Sequence, residues 1–552
     1  MNLISSTTSI INHISTRLGY STIDVIPFEI MFLFFLIFIL FIYNLKGFLI
    51  LSKKISRNTK VILFLIILLS FILRMSVPHL HLAYLDEPYY GAVAKNMLLH
   101  NKAAEQYYSS PDETYFLKSK QNFGWSLSIQ IAYFFFGIND FVAIYLNTII
   151  GTITIAFIFL LSYILFKDEH IALWSAFLYS TLIYHVIWSA TSENNILALL
   201  IVILIFIFLF IYFKTRSFNS HLLTLLLLGF VVQIRMEYLL LIPAIIMSYF
   251  LFIKNLSKHV YNKSFIFPWI ILILIIILFY IPIFSTMFQG ANTSYSIKII
   301  TAQLSLELWK SFHNIYQPSL LLAFLVLGLV YAFSNYKKQL ALILAIYIPL
   351  ILFYASWVDL RGRYRYFFIN LLCIILIQSV GIKAIATRLN KRIKKKSTKK
   401  WILFLFNACL IIFIIISYSI TISNHYNYGI DYRKLSTALP SIIEKDLENN
   451  NCFIISEYED AVTLSAGTNL RIVPLNKFVQ KDVQDSFLES KNCLLYYEGM
   501  SCKWKRDTQN NERQCEIMNN KFNLSLSKSY RFKSIRYDLY DVKQKSLKKD
   551  FI

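Results

Sequence analysis

Two adjacent carboxylates, Asp86 and Glu87, stand in the stretch HLHLAYLDEPYYGAVAKNM shortly after a long apolar run ends. A carboxylate so placed can accept the proton of an attacking hydroxyl. Charged residues recur at comparable places. Glu193 lies in SATSENN, Arg235 and Glu237 in RMEYLLLIP, and Asp359, Arg361, Arg363 and Arg365 in WVDLRGRYRYFF. Arg74 sits inside an otherwise apolar segment, where ionisable groups are functional candidates. Guanidinium forks suit phosphate oxygens. Acids that activate a hydroxyl, beside bases that neutralise a departing phosphate, describe group transfer from a phosphate-linked donor.

Each residue also has a plainer reading. Asp86 would cap a helix and Glu87 would be a first-turn acid ahead of Pro88. Asp359 and Glu193 would pair with arginines to pack a helix bundle, and the arginines would reach lipid phosphates. His79 and His81, close to the acids, are the donors a divalent metal would use together with Glu87. Their i, i+2 spacing turns them apart on a helix, and metal dependence stays open.

The elements that hold these groups follow from composition. The 552 residues are 57% hydrophobic, 16% aromatic and 15% charged. No water-soluble domain hides that much apolar surface, so the chain is an α-helical polytopic membrane protein. Apolar runs near 28–51, 60–78, 141–166, 171–189, 196–213, 221–234, 237–253, 265–286, 317–333, 338–356, 366–386 and 401–421 give about twelve spans at the ~20-residue criterion. The first follows a polar stretch rich in Ser, Thr and Asn, which reads as preceding a permanent span rather than a cleaved signal.

Alternate connections carry Lys53, Lys54, Arg57 and Lys60; Lys214 and Arg216; Lys254, Lys258 and Lys263; Lys337 and Lys338; and the tract RLNKRIKKKSTKK. These are the cytoplasmic loops, and they account for much of the net charge of +23. A basic tract between two spans, without interleaved aromatics, points to topology and anionic lipid rather than nucleic acid. The chemistry then faces the other side, on segments near 79–140, 287–316 and beyond 422. Tyr90, Val93, Ala94 and Met97 recur at helical spacing, as in an interfacial amphipathic helix.

Past residue 425 the composition changes. The runs NCFIIS, LRIVPL, NCLLYYEG and YRFKSIRYDLYDV read as strands, and DYRKLSTALPSIIEKDLENN as a helix, so 426–552 is expected to be a soluble α/β domain. Cys452, Cys493, Cys502 and Cys515 fall there; a Cys502–Cys515 bridge is easy to imagine, but three pairings remain open.

The order of span, Asp-Glu with a following Tyr, helix and long outer loop resembles the GT-C glycosyltransferases, in the branch of protein O-mannosyltransferases and bacterial aminoarabinose transferases. RMSVPHLHLAYLDEPYYGAVAKNML resembles the first-loop motif, SATSENN a later outer helix end, RMEYLLLIP two short middle spans and RGRYRYFFINLL an Arg-Tyr motif opening a late helix. The resemblance covers roughly 60–425. It implies a GT-C-like catalytic domain there, behind an extra N-terminal segment and helix (1–59), and a sugar donor carried on a polyprenyl phosphate. It also implies that Asp86 is the catalytic base, with Glu87 positioning acceptor or metal. Arg361, Arg363, Arg365 and Arg235 would meet the donor phosphate, and Glu193, Tyr90, Asp359 and Arg74 would form an acceptor or structural site. Lys118, in YFLKSKQNFGW, falls where relatives carry a phosphate-meeting lysine followed by two prolines; here Ser119 and Lys120 follow.

The expectation is thus an inverting transferase of the plasma (inner) membrane, with catalytic loops and C-terminal domain extracytoplasmic. Its partners would be a polyprenyl-phosphate sugar, membrane lipids and a hydroxyl acceptor on lipid, glycan or protein, with no nucleic acid. The alternatives are a transporter or lipid flippase and a cell-envelope glycan polymerase. A transporter would show matching hydropathy in two halves, which this sequence lacks.

Overall fold

The computed structural model describes residues 22–81, 86–118, 123–254, 262–275, 320–355, 367–392, 396–426, 430–447, 452–465, 468–490, 493–498, 520–532 and 535–544, with Pro318, Glu516 and Met518 besides. In chain order the helices of the apolar part are α1 (Thr22–Lys53), α2 (Arg57–Met75), α3 (Asp86–His100), α4 (Gly124–Phe136), α5 (Asp140–Phe166), α6 (Glu169–Ser180), α7 (Ile183–Ser189), α8 (Asn195–Thr215), α9 (Phe218–Ile234), α10 (Ile242–Phe252), α11 (Lys263–Ile275), α12 (Leu320–Asn335), α13 (Lys337–Ala355), α14 (Phe368–Arg392) and α15 (Lys396–Tyr426). A hairpin of β1 (Ala104–Tyr108) and β2 (Thr114–Lys118) lies between α3 and α4, and a 3-10 turn (Met236–Leu241) precedes α10. The C-terminal part runs α16 (Ile430–Leu447), β3 (Cys452–Ser456), α17 (Tyr458–Ser465), β4 (Arg471–Pro474), α18 (Leu475–Phe478), α19 (Lys481–Glu489), β5 (Cys493–Glu498), β6 (Phe522–Phe532) and β7 (Ile535–Gln544).

Each of the expected apolar segments is helical where it is described. Among the described residues seven helices are long and apolar enough to cross a membrane, and eight if α6 and α7, bent by 60° at their junction, form one broken span. Four shorter apolar helices occupy the other expected positions. Lipid leaves backbone groups no partner but the helix itself, which is why these runs fold as they do.

The chain divides into two compact units. The first comprises residues 1–19, 28–78 and 147–426, and the second 20–27, 79–146 and 427–552. Within the first, α12 and α14 approach closely enough that a Cβ on Gly328 would stand 2.0 Å from the Ile377 carbonyl oxygen, and one on Gly381 the same distance from that of Phe324. Small residues at a crossing let apolar helices pack backbone to backbone. At the basic end of this unit, Glu169 accepts hydrogen bonds from the Ser56 amide and hydroxyl (2.8 and 2.7 Å) and from Thr59, joining the starts of α2 and α6.

In the second unit a five-stranded sheet has the order β4-β3-β5-β7-β6, with β4, β3 and β5 parallel and β7 and β6 antiparallel. Strands covered on both faces read as continuous apolar runs, and all of β3 is buried. Phe453, Ile455, Val473, Phe478, Phe487 and Tyr496 form its core. This is the α/β fold expected of the tail; the run YRFKSIRYDLYDV supplies the end of β6 and most of β7 rather than a single strand. Cys452 and Cys493 face each other in register on β3 and β5 and form a disulfide. Cys502 and Cys515 lie outside the described residues.

The first outer segment belongs to this same unit. Helix α3 is not the interfacial amphipathic helix its spacing suggested, because every residue from Glu87 to Met97 is buried. Lys95 donates from Nζ to the Ser465 and Thr468 carbonyls (3.0 and 2.6 Å), and Tyr108 of β1 packs edge-on against Phe453 at 5.2 Å between ring centroids. The face expected to meet lipid headgroups is thereby covered by protein.

Candidate active site

In the second unit the acid pair splits. Asp86, the first residue of α3, is half-buried, whereas Glu87 is 1% exposed. His81 bridges Glu87 to the first residue of α5. Its Nδ1 lies 3.1 Å from Glu87 Oε2 and its Nε2 lies 3.4 Å from Asp140 Oδ2, with the ring buried. The His81 amide donates to Thr437 Oγ1 (3.0 Å). Burial alone would lower the His81 pKa, but hydrogen bonds and charge from Asp140 and Glu87 outweigh it and push the imidazole up to about 10. At neutral pH this is an imidazolium shared by two carboxylates, both at helix N-termini where the dipole favours negative charge. Burial brings Lys95 down to about 8 against the opposing carboxylates of Glu444 and Asp140.

The arrangement does two things chemically. It fixes Glu87 in an ion bridge that ties three stretches of backbone together, and it leaves Asp86 the less buried residue of the acid pair, at the start of a clamped helix. Tyr90, 4% exposed, belongs to the packed face of α3. The His79 ring lies against that of Tyr145, tilted by 34° with 4.8 Å between ring centroids. Among the described residues no group of three or more His, Cys, Asp or Glu side chains is gathered to hold a metal ion, and His79, His81 and Glu87 do not form such a set. Both nitrogens of His81 face carboxylates.

In the first unit, α8 and α9 form a helical hairpin whose open end holds a second polar network. Asn195 Nδ2 donates to Glu193 Oε2 (3.1 Å), and Arg235 Nη1 donates to Asn195 Oδ1 (2.6 Å). Arg235 Nε reaches Glu237 Oε1 (2.5 Å), which also accepts from the Tyr354 hydroxyl (3.3 Å). All five residues are buried. Asn147 ties this end to α5 by donating to the Glu193 and Thr191 carbonyls (3.0 and 2.8 Å). The motifs SATSENN and RMEYLLLIP, separate in sequence, therefore meet through Asn195 and, at 3.5 Å from Arg235 Nη1, the Oδ1 of Asn194.

Arg74 is wholly buried. It donates to the Ser70 carbonyl (2.9 Å) and hydroxyl, and its Nη2 lies 2.5 Å from His185 Nδ1. Gly151 makes room for it, since a Cβ there would stand 3.1 Å from Arg74 Nε and 2.6 Å from Ser189 Cβ. Lys118 ends β2, in register with Ala104. Asp359, Arg361, Arg363 and Arg365 lie outside the described residues. Sequence reasoning missed Asp140 and Asn195 as partners and Lys95 as an anchor. An acid beginning an apolar span and a lysine inside a run of small and apolar residues were the available signs.

Residues 123–285 match the family profile of dolichyl-phosphate-mannose-protein mannosyltransferase. No curated protein matches the sequence. Among solved structures, ArnT from Cupriavidus metallidurans bound to undecaprenyl phosphate is 9% identical with a TM-score of 0.57, over 88% of this chain and 98% of that one. The Archaeoglobus fulgidus oligosaccharyltransferase tethered to an acceptor peptide is 12% identical with a TM-score of 0.52, over 86% of this chain and 70% of that one. The AglB oligosaccharyltransferase of the same organism, in complex with an inhibitory peptide and a dolichol-phosphate, is 12% identical with a TM-score of 0.50, over 80% and 69%. With its apolar spans and C-terminal sheet domain, the chain is an integral membrane protein of the GT-C fold, resembling the lipid-phosphate-dependent glycosyltransferases of that superfamily.

Proposed function

We propose that the protein is an inverting glycosyltransferase that moves a sugar from a polyprenyl phosphate to a hydroxyl acceptor at the extracytoplasmic face of the plasma (inner) membrane. The observation that carries this reading is the split acid pair. Glu87 is held in the His81 bridge while Asp86, at the N-terminal end of the same buried helix, is half-buried rather than enclosed. The profile match and the likeness to ArnT, crystallised with undecaprenyl phosphate, support the donor class.

In this mechanism the acceptor oxygen attacks the anomeric carbon as its proton passes to Asp86. The bond from that carbon to the phosphate oxygen breaks, and polyprenyl phosphate leaves with the electron pair. A single displacement inverts the anomeric configuration. Arg361, Arg363, Arg365 and Lys118 are the proposed partners of the phosphate charge. Arg235 reaches a phosphate only by sharing its guanidinium with Glu237 and Asn195. Glu193 holds Asn195, Arg74 packs the bundle through His185, and Tyr90 and Asp359 are proposed for the acceptor side.

The test is transfer from a panel of polyprenyl-phosphate sugars to native lipids, glycans and proteins by the purified full chain. Loss of a general base lowers the rate about 10²–10⁴-fold. We expect that loss in Asp86→Asn with unfolding temperature unchanged, and a lowered unfolding temperature in Glu87→Gln. Full transfer by folded Asp86→Asn would refute the mechanism.

A further inference from the structure

At the basic end of the first unit, the C-terminal ends of α1, α5 and α8 surround an open cavity of about 670 Å³. Lys54, Lys167 and Lys214 line it, one from each helix end, together with Phe210, Phe213 and Phe252. A lysine at one helix C-terminus needs no ligand, since it complements the dipole there. Three of them around an apolar hollow are a different matter. Lys167 has a left-handed backbone (φ 54°), an uncommon conformation for a residue with a side chain. Burial, then the ammonium groups of Lys214 and Lys54, holds Lys167 below the usual lysine range, so the cations are close enough to repel.

The acids nearest in sequence are engaged elsewhere. Asp168 Oδ2 pairs with Lys383 at 2.7 Å, and its Oδ1 caps α6 by accepting from the His170 and Ile171 amides (2.9 and 3.0 Å). Glu169 is bound by Ser56 and Thr59. Among the described residues no carboxylate pairs with Lys54, Lys167 or Lys214. A cavity that concentrates positive charge without a counter-charge favours an anion. The aromatic wall, and Ile50, which lines the cavity while 46% exposed on the membrane-facing helix α1, favour an anion attached to an apolar body.

We propose that this cavity binds the headgroup of an anionic membrane phospholipid from the cytoplasmic leaflet. The lysines contact the phosphate, and the phenylalanines contact the glycerol and the start of the acyl chains. The site lies at the opposite end of α8 from the Glu193–Arg235 network. It would attach the basic end of the bundle to the lipid type that the positive-inside pattern already selects.

The full chain in phosphatidylcholine nanodiscs, titrated with phosphatidylglycerol and followed by native mass spectrometry and thermal unfolding, tests this. We expect one phosphatidylglycerol retained per chain and a rise in unfolding temperature. Lys54→Gln/Lys167→Gln/Lys214→Gln should weaken retention at least about tenfold. Lys54→Arg/Lys167→Arg/Lys214→Arg should retain it, as should the control Lys60→Gln/Lys337→Gln/Lys338→Gln, which removes equal charge outside the cavity. Equal retention by the cavity variant, or equal loss in the control, overturns the proposal. So does equal protection of wild type by inorganic phosphate or preferential retention of undecaprenyl phosphate. The wild-type competitions decide the matter even if the glutamine variant fails to fold.

Discussion

Asp86 and Glu87 are neighbours in sequence with opposite surroundings, and that difference assigns their work. The carboxylate of Glu87 is closed off by the His81 ring, and the same ring holds Asp140. His81 has an ordinary pKa of 6.5 and a folded value of about 10. A raised folded value means that the bridge contributes its full stability below about pH 6.5 and loses it as the pH rises through about 10. Wild type should therefore lose thermal stability relative to His81→Gln between these limits, with the gap closing toward the alkaline end. A difference constant over that range would show that the imidazolium bridge contributes nothing. Replacing His81 leaves two carboxylates without their shared cation, and breaking a buried charge arrangement costs about 3–5 kcal/mol. At neutral pH His81→Gln should be destabilised on that order.

At the scale of elements, the hairpin of α8 and α9 shows what a sequence discloses and what it withholds. Both motifs at its open end were legible, because charged residues interrupting apolar runs are conspicuous. Their meeting was not, since it depends on Asn195 Oδ1 lying 2.6 Å from Arg235, a contact no spacing encodes. Helix α3 failed differently. Its apolar periodicity was read correctly, but nothing local announced that protein rather than lipid would cover it, or that Lys95 would be buried along with it. The longer apolar segments were plain because bilayer thickness imposes their length. Arg235→Ala should lower stability by about 3–5 kcal/mol, because Glu237 would remain buried without its cation. Arg235→Met/Glu237→Leu should regain most of that in a double-mutant cycle of unfolding in mild detergent. If the double variant proved as unstable as Arg235→Ala, the pair would not be the source of the effect. A double variant that regained stability but not transfer would assign Arg235 to the donor phosphate as well.

At the scale of the whole molecule, the second unit joins residues 79–146 to 427–552 across most of the sequence. Composition marked the tail as a separate domain near residue 426. It could not show that the first outer segment folds with that tail, because the joining contacts, among them the Lys95 ammonium on two backbone carbonyls, the His81 amide on Thr437 and Tyr108 on Phe453, are encoded in no local spacing. Lys95 lies in α3, nine residues after Asp86 in the same buried helix, and its two acceptors are the carbonyls of Ser465 and Thr468. Hydrogen bonds made by a charged group contribute about 1.5–3 kcal/mol, and losing them leaves the carbonyls unsatisfied. Lys95→Met retains the apolar stem and removes only the donor. Amide exchange in α3 should then accelerate by roughly 10–100-fold, the equivalent of that free energy. Exchange in α8, in the other unit, should stay unchanged. Transfer should fall along with α3 protection, because Asp86 is aligned by the helix it begins. If α3 exchanged at the wild-type rate in Lys95→Met, the Lys95 hydrogen bonds would not be what holds the proposed catalytic carboxylate in place.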